Sequence, residues 1–239
     1  MAKVAAHAPV KNHLLAALPS KEYRRLLPHL ESVSLSLKQV LHEPYKPIQY
    51  VYFPESGLVT KIVSTEEGAN VEVGMTGKEG MTGICCFLGS GCAAPFKAIV
   101  QIPGVAKRMK AAVFRAQARR NDAWTDLLHS YMHGVLSMVS QSAACNLVHN
   151  VEKRCCRCLL MTQDRMESDK FPLTQEALAL MLGVRRQSIT VVASGLSDQG
   201  LIRYRWGKVT ILNRQGLEAA ACGCYQLIRQ HFHHCGTSS

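Results

Sequence analysis

Glycine is distributed very unevenly along the chain, and this feature constrains the fold more than any other. Nine of the 17 glycines fall between residues 57 and 104, among short apolar runs such as those in YVYFPESGLVTKIVS (50–64) and FKAIVQIPG (96–104). Because glycine makes tight turns at low steric cost, this region predicts a small antiparallel roll of short strands. A phosphate-binding loop is the alternative, but no strand–GxxxxGK[ST]–helix unit is present.

The pattern changes near residue 111. From there to about residue 148, Gly134 is the only glycine and there is no proline. Heptad-like spacing predicts a helix of about 27 residues and about 40 Å, which is too long for a small roll to cover. We therefore expect it to pair with a second copy of the chain, with packing against the roll as the alternative. The predicted dimer interface comprises Trp124, Leu128, Tyr131, Val135, Met138, Ser142 and Cys145.

The segment from residue 173 onward reads as helix, glycine turn, helix and hairpin. Thr174 predicts the N-cap of the first helix, and Gly183 predicts its left-handed end. The second helix begins near Arg185 and Arg186, where the helix macrodipole disfavours cations, so an anion is expected beyond that end. The sequence LIRYRWGKVTIL (201–212) alternates as a hairpin does. This order predicts a winged helix-turn-helix whose second helix enters the DNA major groove.

The residue types in this segment suit DNA. Arginine can pair with guanine and glutamine with adenine, while the wing cations are expected on the phosphate backbone. A plain helical hairpin with a solvated charged face is the alternative. The candidate DNA-binding residues are Thr174, Gln175, Arg185, Arg186, Gln187, Ser188, Thr190, Arg203, Arg205 and Lys208.

The charge and hydropathy of the chain support the same interpretation. A formal net charge of +11 over 239 residues favours an acidic partner such as nucleic acid, although a basic enzyme has a similar balance. No run of 18 apolar residues predicts a membrane span, and the N-terminus lacks a sustained apolar segment. We expect a cytoplasmic protein with no membrane partner.

The ten cysteines match neither a zinc ribbon nor a disulfide framework, so most are expected to be reduced thiols. The sequence CCRC (155–158) lies in a helical pattern that places Cys155 and Cys158 on one face. The cysteines of CGC (222–224) could join the tail HFHHC (231–235) in a metal site, but small apolar packing is the interpretation adopted, and no metal site is predicted. Cys145 is predicted to face its copy across a dimer axis, where it would be the thiol that responds to oxidation, with a small packing residue of the interface as the alternative.

The segment LTQEALALMLGVRRQSITVVASGLSDQGLI (173–202) resembles the helix-turn-helix of the Crp/Fnr family of bacterial transcription regulators. The order of roll, long helix and winged helix-turn-helix resembles that family over nearly the whole chain. The resemblance implies an α+β fold with an N-terminal cyclic-nucleotide-binding-like jelly roll. It also implies a homodimer on a near-palindromic DNA site, acting as activator or repressor, with RNA polymerase as a further partner. The predicted domains are 1–121 (roll), 122–150 (dimerisation helix) and 151–239 (winged helix-turn-helix with a tail).

The chain also departs from the family pattern. Arg186 matches the arginine that opens the family's recognition helix, but Gln187 replaces an acidic residue and Val191 replaces a second arginine. The sequence GKEGMTG (77–83) resembles the start of the nucleotide-binding segment, yet 89–101 contains no arginine to pair with a phosphate. A different DNA preference and no binding of cyclic AMP are therefore predicted.

Other functional classes remain as alternatives. The absence of cysteine before residue 85 argues against the iron–sulfur sensors of the family, and the cofactor is left unassigned. An enzyme would need Cys85 or Cys86 as nucleophile with His129 or His133 as base, but no local motif supports this arrangement. No catalytic residues are predicted. The second alternative is a metal-, haem- or thiol-based sensor in which DNA binding is secondary.

Overall fold

Two antiparallel sheets form a roll in the N-terminal half of the chain. The computed structural model describes residues 10–66, 68–89 and 92–234, with side chains described up to residue 230. Within that part, the strands of the roll are β1 Glu31–Leu35, β2 Val40–His42, β3 Tyr50–Pro54, β4 Leu58–Ser64, β5 Asn70–Thr76, β6 Lys97–Ile102 and β7 Gly104–Lys110. One sheet has the order β1-β7-β3 and the other β2-β6-β4-β5. The predicted antiparallel roll is confirmed.

Turn geometry explains why glycine is concentrated here. Gly57 lies between β3 and β4 with a φ of +82°, and a Cβ built on it would lie 2.6 Å from the carbonyl oxygen of Ile102. Gly104 opens β7, where a Cβ would lie 2.3 Å from the carbonyl oxygen of Ser56. Both positions require glycine, because a side chain would meet backbone that cannot move away.

Short helices flank the roll, and a long helix crosses it. They are α1 His13–Ala16, α2 Ser20–Leu26, a 3₁₀ turn Leu27–His29, α3 Cys85–Leu88, α4 Ala111–Ala118 and α5 Ala123–Val148. The side chain of Asp122 caps α5 by accepting hydrogen bonds from the backbone N–H groups of Trp124 and Thr125. None of the described helices is long and apolar enough to cross a lipid bilayer.

The C-terminal half contains a winged helix-turn-helix, as predicted. Its elements are α6 Val151–Met166, β8 Lys170–Pro172, α7 Gln175–Leu182, α8 Arg186–Asp198, β9 Ile202–Arg205, β10 Lys208–Ile211, α9 Arg214–Ala220 and α10 Cys224–His234. Three of the strands form a small sheet in the order β8-β10-β9. Asn150 caps α6 by accepting a hydrogen bond from Lys153 N.

Helix α6 is buried on nearly every side, and its three cysteines are small side chains of the core. Cys155, Cys156 and Cys158 are all inaccessible and pack in the same core as Leu159 and Leu160. Leu58, Met75 and Ile102 of the roll belong to that core as well. The two halves of the chain therefore share apolar packing, and these cysteines act as small core side chains.

A buried histidine makes the stability of the roll depend on pH. His42 on β2 is only 4% exposed, and its Nε2 shares a hydrogen bond with Thr82 Oγ1. Burial, with a smaller contribution from the charge on Lys61, lowers the pKa of His42 to about 4. Because this value lies below the unfolded pKa of about 6.5, the unfolded state takes up more protons as the pH falls between the two values.

We expect the free energy of unfolding to decrease by about 3 kcal/mol from this group as the pH falls from about 6.5 to about 4. Denaturant titrations at several pH values would measure the decrease. The buried Glu72, whose pKa burial raises to about 7, contributes in the opposite direction over the same range in every variant. The decrease due to His42 is therefore the difference between the profiles of the parent chain and His42→Gln, whereas His29→Gln, at an exposed position, should match the parent. Equal pH dependence in the parent chain and His42→Gln would contradict the prediction.

Candidate nucleic-acid interface

The helix-turn-helix is built by a cap, a left-handed turn and a buried helix face. Thr174 Oγ1 accepts a hydrogen bond of 3.1 Å from Ala177 N at the start of α7. Gly183 ends α7 with a φ of +61°, and the N–H of Val184 donates to the carbonyl of Ala179. These features confirm the predicted N-cap and the predicted turn.

The first turn of α8 is exposed and carries the predicted cations. This helix buries Ile189, Ala193 and Leu196 against the core. Of the predicted residues on the outward face, Ser188 is partly exposed and the others are exposed, namely Arg185, Arg186, Gln187 and Thr190. No acidic residue lies in the first turn of α8 to offset the macrodipole. The exposed face can therefore receive an anionic partner.

Two contacts hold this face in place without blocking it. Arg186 Nη1 lies 3.0 Å from Glu176 Oε1, and both side chains are more than 60% exposed. Such an exposed ion pair stabilises a fold by about 1 kcal/mol or less, so Arg186 can exchange it for a base or a phosphate. Thr190 Oγ1 donates a hydrogen bond of 3.0 Å to Gln175 Oε1, which connects α7 to α8.

The wing presents three cations on one side of its hairpin. In the pairing of β9 with β10, Lys208 lies opposite Arg205 and Thr210 lies opposite Arg203. Because side chains two residues apart on a strand share a face, Arg203, Arg205 and Lys208 all project from the same surface. Like charges directly opposite each other destabilise a hairpin, and an anionic partner relieves that cost.

The tip of the wing contains a residue that the sequence reasoning missed. Trp206 and Gly207 form the two-residue turn with φ of 48° and 69°, and Trp206 is 95% exposed. Two left-handed residues suit the twist of a hairpin, which explains the glycine but not the tryptophan. An aromatic ring between Arg205 and Lys208 adds a stacking surface to a basic edge. A tryptophan between basic residues at the hairpin turn, in the sequence RWGK (205–208), is the feature that could have indicated this surface.

The long helix uses the predicted interface residues in a different way. Trp124, Leu128, Tyr131, Met138 and Cys145 are at most 2% exposed, because they pack against other parts of the same chain. The assignment of these residues to a dimer interface was wrong for that reason. Val135 and Ser142, the other two predicted interface residues, are partly exposed.

A second apolar face of α5 is exposed instead, except at Met132, which is partly buried against the core of the roll. It consists of Met132, Leu136, Val139, Ala143 and Leu147, which we call the outer face. Leu136 is 64% exposed and Leu147 is 87% exposed. Spacings of four, three, four and four residues keep these positions on one side of a helix, about a third of a turn from the buried positions.

The segment that resembles a nucleotide-binding loop is closed by α5. Tyr131 Oη donates to the carbonyl of Met81 at 2.9 Å and accepts from its N–H at 3.1 Å. The ring lies so close to Gly80 that a Cβ there would be 2.3 Å from it. Beside it, Arg165 of α6 pairs with Glu79 at 2.8 Å. The chain's own side chains thus occupy the inner side of residues 77–83.

Most of the described cysteines are free thiols, as expected, and two form a disulfide. Cys86 and Cys92 form a disulfide, while the seven others in the described part of the chain are free. The disulfide removes Cys86 as a candidate nucleophile, and burial raises the pKa of Cys85. The side chains of the tail 231–235 lie outside the described residues, so the alternative of a metal site that includes this tail is not tested.

Cys145 does not lie where it could meet a second copy of itself. Its Sγ is buried 3.5 Å from Cys222 Sγ of the same chain, with Cys224 in the same small cluster. Burial raises the pKa of Cys145 to about 12, which lowers the thiolate fraction at neutral pH. The predicted link between two Cys145 side chains was wrong, because α5 turns this position towards α10.

Residues 153–220 match the family model described as a Crp-like helix-turn-helix domain. The chain therefore carries a Crp-like helix-turn-helix domain. This domain spans α6 to α9 and includes the exposed turn of α8 and the wing. The predicted resemblance to the Crp/Fnr family is confirmed. No curated protein matches the sequence.

Several solved structures share most of this fold. A putative transcriptional regulator of the Crp/Fnr family from Eubacterium rectale has 17% identity and a TM-score of 0.67, over 87% of this chain and 96% of its own. FixK2 from Bradyrhizobium japonicum has 18% identity and a TM-score of 0.69, over 81% and 98%. The regulator CLP from Xanthomonas campestris, described as responsive to c-di-GMP, has 16% identity and a TM-score of 0.66, over 81% and 99%. At sequence identities of 16–18%, these similarities show only that the fold is shared.

Proposed function

We propose that the protein is a sequence-specific transcription regulator that binds a near-palindromic DNA site as a homodimer. The observation that carries this proposal is the exposed first turn of α8 within a Crp-like helix-turn-helix domain. Arg186 and Gln187 there have the donors and acceptors that read guanine and adenine edges in the major groove. RNA polymerase stays a predicted partner.

The distribution of charge supports DNA as the partner. The chain has 28 lysines and arginines against 17 acidic residues. Arg203, Arg205 and Lys208 extend the basic surface from α8 to the wing, where contacts to phosphates fix the register of the protein on the duplex. Binding of this kind releases counterions and weakens as salt rises.

The outer face of α5 supports the homodimer. It runs over about four turns of the helix and ends close to the DNA-binding domain, as Leu147 lies four residues before Val151 opens α6. An exposed apolar stripe of this length is unusual on a monomer and is typical of an interface. Parallel pairing of two such helices about a two-fold axis presents two recognition helices to two half-sites.

A divergent effector domain is also part of the proposal. The segment 77–83 is closed by Tyr131, and residues 89–101 contain no arginine to hold a phosphate. Lys97, the one cation in that second segment, lies 3.7 Å from Glu43 on the partly exposed side of the roll. Cyclic AMP is therefore not the effector that we propose, and the effector stays unassigned.

Selection of DNA sites from a random pool tests the function directly. The selected sequences should contain two half-sites related by two-fold symmetry, with centres about one helical turn, or about 10 base pairs, apart or a multiple of this. The pool should be bound at moderate salt, because low salt favours non-specific contacts. Failure to enrich any sequence over several rounds would contradict the proposal.

The selected site then allows a prediction for Arg186. We expect Arg186→Ala to weaken binding to that site about 5- to 150-fold, the equivalent of 1–3 kcal/mol, and binding to random DNA much less. Fluorescence anisotropy with both DNAs measures the two affinities. Lys208→Ala should weaken both alike and reduce the salt slope by about 1. Arg119→Ala, an exposed arginine outside the domain, is the matched control. Equal losses on both DNAs for Arg186→Ala would remove its role in base recognition.

A further inference from the structure

Four metal-ligating side chains meet where α5 ends and α10 begins. They are Cys145 near the end of α5, His149 directly after it, Cys222 just before α10 and Cys224 at its first position. Their ligand atoms all lie within 4.8 Å of one another. We propose that these four residues bind one Zn²⁺ ion, which fastens the C-terminal helix of the DNA-binding domain to the long helix.

The spacing of the ligand atoms fits a tetrahedral ion. With Zn–S bonds of about 2.3 Å and Zn–N bonds of about 2.0–2.1 Å, tetrahedral geometry separates two sulfurs by about 3.8 Å and a sulfur and a nitrogen by about 3.5 Å. Cys145 Sγ lies 3.5 Å from Cys222 Sγ, and Cys224 Sγ lies 3.6 Å from His149 Nδ1. Only small side-chain adjustments are needed to close the site around one ion.

Local structure brings the four ligands together as two pairs. Cys145 and His149 are four residues apart at the end of one helix, where such positions share a face. The N–H of His149 also donates to the carbonyl of Cys145 at 3.1 Å. Cys222 and Cys224 flank Gly223, and both sulfurs belong to the same group of ligand atoms.

The donor set selects zinc among the common metals. Three thiolates and one imidazole form a closed Cys₃His shell, which is a structural zinc arrangement and leaves no coordination position for a substrate. The hard ions Mg²⁺ and Ca²⁺ prefer oxygen ligands and are excluded by this chemistry. An iron–sulfur cluster places several iron and sulfide atoms between its ligands and requires wider separations than these.

The surroundings match the charge of such a site. Gln141 Nε2 lies 3.0 Å from Cys224 Sγ, in position to donate a hydrogen bond to a thiolate. Three thiolates with one Zn²⁺ carry a net charge of −1, and the protons of the three thiols pass to solvent on binding. The residual negative charge lies among buried cations.

Those buried cations are two arginines of α6. Arg154 and Arg157 are 9% and 7% exposed, and within the described residues neither forms a salt bridge with a carboxylate. Arg154 interacts electrostatically with Cys145 and Cys222, and Arg157 interacts with Cys145. Arg157 also interacts electrostatically with the buried carboxyl of Glu72. Burial of guanidinium groups is costly where few anions lie nearby, and a negatively charged zinc–thiolate centre beside Arg154 and Arg157 lowers that cost.

Metal analysis of the untagged full-length protein, purified under reducing conditions, tests the proposal. We expect one zinc per chain by plasma mass spectrometry after dialysis against metal-free buffer. Exchange for Co²⁺ should give intense visible bands of a tetrahedral ion and a thiolate-to-cobalt charge-transfer band. Zinc below about a tenth of an equivalent after loading with zinc chloride, or octahedral cobalt without charge transfer, would overturn it.

Variants identify the ligands. Cys222→Ser, Cys224→Ser and His149→Gln should each weaken zinc binding by more than the 10- to 100-fold typical of residues that only support a ligand. His149 is partly exposed, so His149→Gln should fold even if a cysteine variant does not. Cys85→Ser and His29→Gln are matched controls away from the cluster. Unchanged zinc affinity in His149→Gln and the folded cysteine variants would overturn the assignment.

Two further outcomes are separated by the same samples. Replacing His231, His233 and His234 together with glutamine should leave the zinc content unchanged, and loss of zinc in that variant would assign the ion to the tail. A disulfide between Cys145 and Cys222 in the reduced preparation, detected by thiol titration and peptide mapping, would also overturn the proposal. None of these readouts uses DNA, so failure of the zinc site and failure of the proposed function are distinguishable.

Discussion

Leu136→Glu is expected to convert the protein from a dimer to a monomer while leaving the fold intact. The side chain is 64% exposed on the outer face of α5, so a glutamate there is solvated in the isolated chain. In a parallel dimer it removes two buried leucines and brings two carboxylates together across the axis. Two lost leucines alone correspond to about 3–6 kcal/mol, which is a rise of more than 100-fold in the dimer dissociation constant.

Sedimentation velocity over a range of concentrations would measure this change, and thermal unfolding would show whether the fold survives. Met138→Glu is the informative comparison, because Met138 is 2% exposed and its Cε lies 3.0 Å from where a Cβ on Gly74 would be. We expect Met138→Glu to destabilise the chain itself by several kcal/mol. A dimer of unchanged strength in Leu136→Glu would remove the outer face as the interface.

Gly80→Ala is expected to destabilise the roll by about 3 kcal/mol or more. A Cβ at this position would lie 2.3 Å from the ring of Tyr131, which is 1% exposed. The hydroxyl of Tyr131 is also hydrogen-bonded to both the N–H and the carbonyl of Met81. Neither the backbone nor the ring can move without breaking those hydrogen bonds. The cost therefore reaches the upper end of what overpacking a core produces.

Chemical denaturation of the purified variant would measure this loss. Gly195→Ala is the matched control, because no atom lies within 4 Å of a Cβ built there and the residue is inside helix α8. That substitution should stabilise the protein by about 0.5–1 kcal/mol through helix propensity. Similar effects of the two substitutions would show that Tyr131 does not close residues 77–83 in solution.

Local sequence chemistry was sufficient for much of the DNA-binding domain. Thr174, Gly183 and Asn150 occupy the caps and the turn that their residue types predict. The exposure of Arg186 and Gln187 also followed from the sequence, because the apolar residues of α8 alternate with them at helical spacing. Such features depend on neighbours within a few residues, so the sequence contains the information needed to predict them.

For the long helix α5, the sequence was not sufficient to predict which apolar face is buried. Its periodicity correctly indicates apolar faces, but the helix has two of them, and sequence alone does not say which one the roll covers. The chain buries Trp124, Leu128 and Tyr131 against its own roll and leaves Leu136 and Val139 exposed. Which face is covered depends on where the rest of the chain folds, and the periodicity of one helix carries no information about that.

The sequence by itself determined that the chain has a glycine-rich roll, a long helix and a winged helix-turn-helix with a basic exposed turn, because each rests on short-range spacing and residue type. Only the tertiary structure decided that Cys145 and His149 meet Cys222 and Cys224, that Tyr131 closes the loop at Gly80, and which face of α5 stays free. The cysteines that meet are 77 residues apart in sequence. Contacts at such separations are fixed by how α6 and α9 bring α10 back along α5, and no local pattern encodes that path.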